Sequence, residues 1–392
     1  MAVELAYVLI TPYSLAKSRT GGILARLLTR SGCELVAVRM YAPSAELIRE
    51  YSEQIVTASD PQDRVTQEVL RDYVRKQLAP DSRTGRRRRV LLLLFKGEDA
   101  VRRVRSVVGN LAPLFIQGET IRGTFGDYIT DGDGRVTYFE PAVLAAPTAE
   151  EANAKLLIWA RYSRADGGLL DNTITYEPGV APQRTLVLVK PDNFGAAAGR
   201  PGSVLDFFSR TGLFIVGARL LHLSTAQALA FYEPVREVMR TRLNAMVGAE
   251  ARKALSAHPE LGFPIPPTVE QQLGQLLGPL YGDFRFDNLV RFMSGRSERE
   301  CPPAELEKPG TVPCLAVVYE GPDAVAKCRD VLGPTDPGKA PRGTIRREFG
   351  SNILVNAAHA SDSVESARRE LAIVQPETDD LSREIAAVVG PR

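Results

Sequence analysis

Residues 95–101 read Phe-Lys-Gly-Glu-Asp-Ala-Val, and residues 319–325 read Tyr-Glu-Gly-Pro-Asp-Ala-Val. The two stretches lie 224 positions apart, as Gly97 and Gly321 show. The same spacing joins Thr-Ile-Arg at residues 120–122 to Thr-Ile-Arg at residues 344–346. A spacing that persists over several motifs indicates an internal repeat, which has to be recognised before the fold class is inferred.

The repeat extends toward the start of the chain with a different spacing. A strand-like apolar run at residues 6–12 ends in Thr-Pro, and a similar run at residues 186–191 ends in Lys-Pro. A helical pattern with a glycine stop signal follows each run, at Gly32 and at Gly212, 180 positions apart. The change in spacing from 180 to 224 means that the second copy has gained a net 44 residues.

Each copy is predicted to contain a strand, a helix, a strand, a helical region, a strand, a helix, a strand and a final helix. Short links and few crossover helices favour an α+β class. We expect two tandem ferredoxin-like α/β sandwich domains with mostly antiparallel sheets. The expected boundaries are 1–163 for the first domain, 164–183 for a linker, and 184–392 for the second domain, with an insertion around 236–283.

Composition excludes several classes of protein. The chain has 392 residues, 49 of them basic and 47 acidic, and four cysteines without a framework spacing. No apolar run approaches the roughly 20 residues that span a bilayer, and the first residues lack a signal-peptide profile. We therefore predict a cytoplasmic protein with reduced cysteines and with no nucleic-acid or membrane partner.

Histidine is scarce, so few residues could supply an imidazole as a catalytic group. The chain has three histidines, and residues 1–221 contain none. His359 stands directly before a Ser/Asp-rich helix start, where free N–H groups favour an anion. Together with Lys190, Arg329 and Arg346, this arrangement predicts a site for a polyphosphate.

The segment that contains His359 resembles the active-site signature of nucleoside diphosphate kinases. It comprises Gly-Thr-Ile-Arg at residues 343–346 and Asn-Ala-Ala-His-Ala-Ser-Asp-Ser-Val-Glu-Ser-Ala at residues 356–367. The Lys-Pro-Asp at residues 190–192 resembles the family's opening motif. The resemblance covers most of residues 184–375, with the insertion as an interruption. It implies a ping-pong transfer of a γ-phosphate through a phosphohistidine on His359.

The resemblance also implies roles for the surrounding residues. Glu370 would hold the second ring nitrogen of His359, and Mg²⁺ would arrive on the nucleotide phosphates rather than in a protein cage. The residues implied to contact nucleotide are Arg329, Thr335 and Arg346 at the phosphates, Lys190 and Asn356 at the ribose, Tyr232 beside the phosphates, Ser361 beside the histidine, and Phe286 and Leu289 at the base.

The first copy is predicted to be degenerate. At the corresponding positions, Thr11 replaces Lys190, Leu144 replaces His359 and Pro141 replaces Asn356, whereas Arg105 and Arg122 persist. Without a histidine, this copy cannot form a phosphohistidine, and it resembles a degenerate kinase domain that supplies packing surface. A fused pair could replace one two-fold interface of a family oligomer, so we expect a homo-oligomer, with trimers that mimic a hexamer as one arrangement.

Two alternatives remain open from the sequence. One is a nucleotide-binding regulatory or structural module without turnover, since the first site is lost and an insertion lies beside the second. The other concerns Arg86 to Arg89, which could form a nucleic-acid patch. The near-zero net charge, and the apolar strand that follows at residues 90–95, favour another interpretation. In it the arginines are exposed to solvent and protect the adjacent strand from aggregation.

Overall fold

The computed structural model describes residues 3–111, 118–133, 136–195, 198–260 and 262–390. These residues form two compact units. The first contains Met1–Leu221 and Leu315–Arg392, and the second contains His222–Cys314. The predicted boundaries at 163 and 184 fall inside the first unit, so this grouping is no test of them and they remain a prediction.

The first unit is built on one sheet of eight strands, ordered β10-β7-β9-β8-β2-β3-β1-β6, and a separate two-stranded sheet, β4-β5. Every pairing with a defined register is antiparallel. The strands are β1 Val3–Ile10, β2 Glu34–Tyr41, β3 Val90–Glu98, β4 Asp127–Thr130, β5 Val136–Glu140, β6 Val143–Leu144, β7 Gln183–Val189, β8 Phe214–Leu221, β9 Cys314–Gly321 and β10 Ala358–Ala360.

The eight-stranded sheet consists of two halves with the same strand order. The N-terminal half (residues 3–166) contributes β6-β1-β3-β2, and the C-terminal half (residues 183–221 and 315–390) contributes β10-β7-β9-β8. This is the ferredoxin-like order in each half. The predicted α+β class with mostly antiparallel sheets is confirmed.

The two halves meet at several places, among them helix α16 (Asp380–Val389), which packs on β2 and on helix α7 (Ala149–Arg161). Strands β2 and β8 pair at Arg39 and Arg219, and helix α2 (Thr20–Arg30) packs on helix α9 (Arg200–Phe207). A Cβ atom on Gly21 would lie 2.4 Å from the Asp206 backbone nitrogen, and one on Gly202 would lie 2.2 Å from the Ala25 nitrogen. Glycine is required at both positions because the two helix backbones touch there.

Helices of the first unit cover the sheet and supply its core, with Trp159 and Phe95 among the largest buried side chains. They are α1 Pro12–Ala16, α2 Thr20–Arg30, α3 Ala45–Glu53, α4 Arg64–Gln77, α5 Ala100–Val108, α6 Ile121–Phe125, α7 Ala149–Arg161, α8 Ser163–Asp166, α9 Arg200–Phe207, α13 Ala324–Leu332, α14 Ile345–Phe349, α15 Val364–Val374 and α16 Asp380–Val389.

Helices α5 and α13 show why the repeated motif predicts the same local structure. Each is preceded by an aspartate in the left-handed region, Asp99 at φ 52° and Asp323 at φ 55°. Each ends at a glycine with positive φ and extended ψ, Gly109 at φ 87° and ψ 174° and Gly333 at φ 80° and ψ 173°. Aspartate tolerates the left-handed region better than most residues, and essentially only glycine adopts the second conformation, so both ends of the helix are determined locally.

Among its described residues, the second unit contains three α-helices, α10 Thr225–Arg242, α11 Asn244–Ser256 and α12 Pro267–Ser294, and a short 3₁₀ helix at Pro303–Glu305. The predicted insertion around 236–283 falls within this unit. Helix α12 packs on α10 and α11, and Gly248 and Gly274 lie at the crossing of α11 and α12. Among the described residues, no helix combines the length and apolar character that crossing a bilayer requires.

Candidate active site

His359 lies in the middle of β10, opposite Leu188 of β7, and its side chain is 20% exposed. Its Nε2 atom is 2.9 Å from the Oε2 atom of Glu370 on α15. The Ser361 hydroxyl donates to the same carboxylate oxygen over 2.7 Å. Glu370 is buried, so its hydrogen bonds restrict the ring orientation. When Nε2 carries the proton, the lone pair lies on Nδ1, which is then the nucleophilic nitrogen.

The segment before His359 is held in a strained conformation. Ala357 has φ 69°, a left-handed value that costs a non-glycine residue about 1–2 kcal/mol. Its carbonyl accepts from the Asn193 amide over 2.7 Å and its N–H donates to the Asp192 carboxylate over 3.2 Å. Burial raises the pKa of Asp192, and the charges of Lys190 and Arg200 oppose this effect. Asp192 and Asn193 thus position the turn that leads to His359.

This positioning role is not among the sequence predictions. The Lys-Pro-Asp motif contains Asp192, and Asn193 is the residue that follows it. Their direct succession after Lys-Pro at a strand end was the available signal, because polar residues that follow a buried strand cluster at its end.

Lys190 and Asn356 form a buried polar pair. The Lys190 ammonium donates to the Asn356 side-chain oxygen over 2.6 Å, and Lys190 is 4% exposed. The Asn356 amide nitrogen donates to the Ile353 carbonyl over 2.8 Å and to the Thr335 carbonyl over 3.2 Å. The structure therefore brings together the two residues that were predicted to share a role.

Arg346 is buried and joins the loop after α13 to the start of β10. Its guanidinium donates to the Gly333 carbonyl over 3.0 Å, to the Ala358 carbonyl over 3.4 Å and to the Thr335 hydroxyl over 3.5 Å. Thr335 itself is exposed. The Arg346 cation is thereby placed beside the residue that precedes His359.

Arg329 is exposed on α13, and its side chain has no hydrogen bond or ion pair with any residue that the structure describes. Asp362 indicates where this cation lies. The Ser366 hydroxyl holds the pKa of Asp362 below its usual value, and the Arg329 guanidinium lowers it further. Arg329 on α13 is therefore close enough to interact electrostatically with Asp362, which lies three residues after His359.

The carboxylates around His359 are already engaged by the protein. Asp192 accepts from the Ala357 backbone, and Glu370 accepts from His359 and Ser361. In the described part of the chain, no three His, Cys, Asp or Glu side chains group in a way that could hold a metal ion. Arg329 and Arg346 contribute two cations to this site, which suits phosphate oxygens.

The three remaining predicted residues belong to the second unit. Tyr232, Phe286 and Leu289 are all buried. The Arg236 guanidinium lies 5.0 Å from the centre of the Phe286 ring, and the Tyr232 ring lies 4.9 Å from that of Phe231. Their predicted contacts with the base and phosphates remain predictions.

The corresponding position in the N-terminal half has a different chemistry. Leu144 occupies the position of His359 and pairs with Leu9 of β1. Lys155 occupies the position of Glu370 and forms a buried ion pair with Glu151, with 2.5 Å between Nζ and Oε2. The adjoining cavity, lined by Arg122, Leu144 and Lys155, has a volume of about 10 Å³, which is close to the room that one water needs.

Comparison with known proteins identifies the family. The sequence profile described as "Nucleoside diphosphate kinase" matches residues 283–379. A nucleoside diphosphate kinase of Burkholderia thailandensis is 33% identical over 205 residues, which are 52% of this chain and 100% of that protein. This chain belongs to the nucleoside diphosphate kinase family. A second member of the family, from Anaeromyxobacter sp. strain Fw109-5, is 31% identical over 199 residues, 51% of this chain and 93% of that protein.

Solved structures of nucleoside diphosphate kinases are also similar over part of the chain. The enzyme from Aquifex aeolicus is 27% identical, with a TM-score of 0.31, over 50% of this chain and 95% of that one. The enzyme from Pyrobaculum aerophilum is 25% identical, with a TM-score of 0.33, over 49% and 95% of the two chains. The family match at residues 283–379 includes the predicted site residues from Phe286 to Glu370. Lys190 and Tyr232 precede the matched region.

Proposed function

We propose that this chain is a nucleoside diphosphate kinase that transfers the γ-phosphate of a nucleoside triphosphate to a nucleoside diphosphate through a phosphohistidine on His359. The observation that carries the proposal is the hydrogen bond from His359 Nε2 to the buried Glu370 carboxylate. This bond selects the tautomer with its lone pair on Nδ1, and it stabilises positive charge on the ring as the nucleophile reacts.

In the first half-reaction, the Nδ1 lone pair attacks the γ-phosphorus. The bond from that phosphorus to the β,γ-bridging oxygen breaks, and the nucleoside diphosphate leaves with the electron pair. In the second half-reaction, a β-phosphate oxygen of an incoming diphosphate attacks the phosphorus, and the phosphorus–nitrogen bond breaks. His359 is regenerated, so the same groups serve both directions.

The cations of the site would stabilise the transferred phosphoryl group. Arg346 would present a guanidinium whose position is maintained by three hydrogen bonds, and the exposed Arg329 would reach the phosphates from α13. Thr335 would add a hydroxyl. Fixed donors aimed at developing charge are the main source of catalysis in phosphoryl transfer.

The ribose would be bound by Lys190 and Asn356, whose side chains already form one buried pair. The base would stack on Phe286 and Leu289, and Tyr232 would lie beside the phosphates. The substrate would be the Mg²⁺ complex of the nucleotide, because no described group of acidic side chains near His359 could hold the ion without it.

The N-terminal half would serve as a scaffold. It keeps the strand order of the C-terminal half but has Leu144 and Lys155 where the reaction needs a nucleophile and a carboxylate. We propose that it arose by duplication and that it replaces, within one chain, a contact that single-domain relatives would make with another subunit.

Exposure to ATP labelled at the γ-phosphate tests the proposal. We expect a one-phosphate adduct that is labile in acid and stable in base, detected by intact mass, and its loss in His359→Ala. His258→Ala is the matched control, since His258 is an exposed histidine of the second unit. Full transfer by His359→Ala would disprove the mechanism. Nucleotide binding without any adduct in the unchanged chain would instead favour the regulatory module.

A further inference from the structure

A second cationic site lies in the first unit, at the loop that leads into β3. A cleft of about 380 Å³ is lined by Arg83, by the consecutive arginines Arg86 to Arg89 and by Asp81. We call this the arginine cleft. Its volume is within the range of small-molecule pockets, roughly 300–1,000 Å³. The sequence favours a solvated run here, whereas the structure directs five arginines to one cavity.

Three of the five arginines are held in place by other parts of the first unit. Arg87 forms an ion pair with the buried Asp166, with 2.8 Å between Nη1 and Oδ1. Arg88 donates to the Gln77 side chain over 2.8 Å. Arg89 donates to the Ile215 carbonyl over 2.6 Å and lies over the Phe214 ring. Burial lowers the pKa of Arg89 to about 10, so the group is still protonated at neutral pH.

The other two arginines have no counterion. The side chains of Arg83 and Arg86 form no hydrogen bond or ion pair with any described residue. The one acidic group in the lining, Asp81, accepts on Oδ1 from the Arg83 and Thr84 backbone N–H groups and from the Thr84 hydroxyl. Its Oδ2 atom is 3.9 Å from Arg88. The cleft therefore has a large excess of positive charge.

The remaining lining indicates what kind of anion fits. Thr173 and Thr175 contribute hydroxyls from the linker, and the Thr173 hydroxyl oxygen is shielded from solvent without a hydrogen-bond partner among the described residues. The described lining contains no aromatic ring on which a base could stack. Arginine forks and hydroxyl donors match phosphate oxygens, and several arginines match more than one phosphate.

We propose that the arginine cleft binds a small anion that carries two or more linked phosphates, at a site separate from His359. Arg83 and Arg86 bind it directly. Arg87 to Arg89, which are held in place by other residues, add positive charge along one side of the cleft. The ligand is either an inorganic polyphosphate or the phosphate tail of a nucleotide. Because the cleft lies between the loop before β3 and the linker at residues 173–175, an occupied cleft joins these two segments.

Calorimetric titration with inorganic tripolyphosphate tests the proposal. The double variant Arg83→Gln/Arg86→Gln removes two side chains without partners, so its fold is expected to persist. The matched control, Arg64→Gln/Arg102→Gln, removes the same charge at side chains that are 81% and 77% exposed. We expect tripolyphosphate affinity to fall about tenfold or more in the first variant only, as expected when charge-assisted hydrogen bonds are lost.

A second arm identifies the source of the phosphates. If ATP displaces tripolyphosphate from the cleft, the ligand is a nucleotide tail. If ATP leaves it bound, the ligand is an inorganic chain. Equal affinity and stoichiometry in the unchanged chain and in Arg83→Gln/Arg86→Gln would overturn the proposal. So would a single-stranded oligonucleotide that binds these arginines when tripolyphosphate does not. His359 phosphorylation by labelled ATP is measured in parallel, so that failure at one site is distinguished from failure at the other.

Discussion

Arg122 and Arg346 make the same pair of hydrogen bonds in the two halves of the sheet. Arg122 donates to the Gly109 and Val143 carbonyls over 2.8 and 3.3 Å, and Arg346 donates to the Gly333 and Ala358 carbonyls over 3.0 and 3.4 Å. The N-terminal half has a leucine in place of the histidine, yet the arginine persists. Joining the two backbone segments is therefore a structural role that does not depend on catalysis.

Replacing Arg122 should destabilise the protein without affecting the reaction. In Arg122→Ala, two carbonyls lose a charged donor, and we expect the free energy of unfolding to fall by about 2–4 kcal/mol. Denaturant titration measures the change. The exposed Arg102→Gln is the control and should change it by less than about 0.5 kcal/mol. An Arg122→Ala variant as stable as the unchanged chain would show that the bonds contribute nothing.

Glu370→Gln should slow phosphorylation of His359. The amide can donate to Nε2, which would place the ring proton on Nδ1, the atom that has to attack. We expect the rate of phosphoenzyme formation to fall by about 10²- to 10⁴-fold, as when the wrong tautomer is imposed on a reacting histidine. Rapid-quench measurements provide the rate. Glu365→Gln, at an exposed position on the same helix, should keep the normal rate.

Adding a histidine to the N-terminal half should not create a second phosphorylation site. Leu144→His, made together with His359→Ala, places an imidazole at the equivalent strand position. Lys155 stands where Glu370 would be, and the cavity has a volume of only about 10 Å³. Intact-mass analysis after exposure to ATP should detect no acid-labile adduct. An adduct in this variant would show that the N-terminal half retains a working phosphate site.

Glu140 should make stability depend on pH in a predictable direction. Burial raises its pKa above 4.5, although Tyr73 and Thr11 donate to it. Below pH 4.5 the group is protonated in both states. As pH rises from 4.5 to the raised folded value, the unfolded state releases the proton first, so the native protein loses stability.

The measurement compares Glu140→Gln with the unchanged chain by denaturant titration across this pH range. The variant cannot ionise, so its stability relative to the unchanged chain should rise through the window and then level off. Glu177→Gln, at an exposed linker position, should give no such trend. A difference that is independent of pH would contradict the prediction.

The proposed assembly can be tested by light scattering. Within one chain, β2 already pairs with β8 and α2 already packs on α9. We expect chains of 42.8 kDa to associate further, with three chains as one arrangement. A single mass equal to one chain at all micromolar concentrations would exclude a homo-oligomer.

Sequence patterns predicted those features that depend on local residue preferences. The repeated Gly and Asp at residues 97–99 and 321–323 predicted matching strands and helices, and the structure has β3 with α5 and β9 with α13. The resemblance around His359 indicated Glu370 as its partner, and the two side chains are 2.9 Å apart. The first relationship extends over few residues, so backbone preference is enough to infer it, whereas the second was implied by the family resemblance.

Long-range pairings could not be predicted in this way. Nothing in the residues of β2 and β8 specifies that Arg39 and Arg219 meet, because both belong to edge strands of separate halves and their pairing accompanies other contacts between distant parts of the chain, such as α2 with α9 and α16 with β2. The replacement of Glu370 by Lys155 could have been found, since the 215-residue spacing that relates Leu144 to His359 also relates these two positions.

The strand lengths in the eight-stranded sheet affect how readily the protein aggregates. The outermost strands described, β6 and β10, have two and three residues, whereas β2 and β8, with eight residues each, lie inside the sheet. Unpaired backbone N–H and C=O groups on an edge strand can pair with a strand of another molecule. The short strands β6 and β10 leave few such groups at the two edges of this sheet. Cutting the chain between its halves would uncover both long strands, so the separated pieces should be far more prone to precipitate than the intact polypeptide.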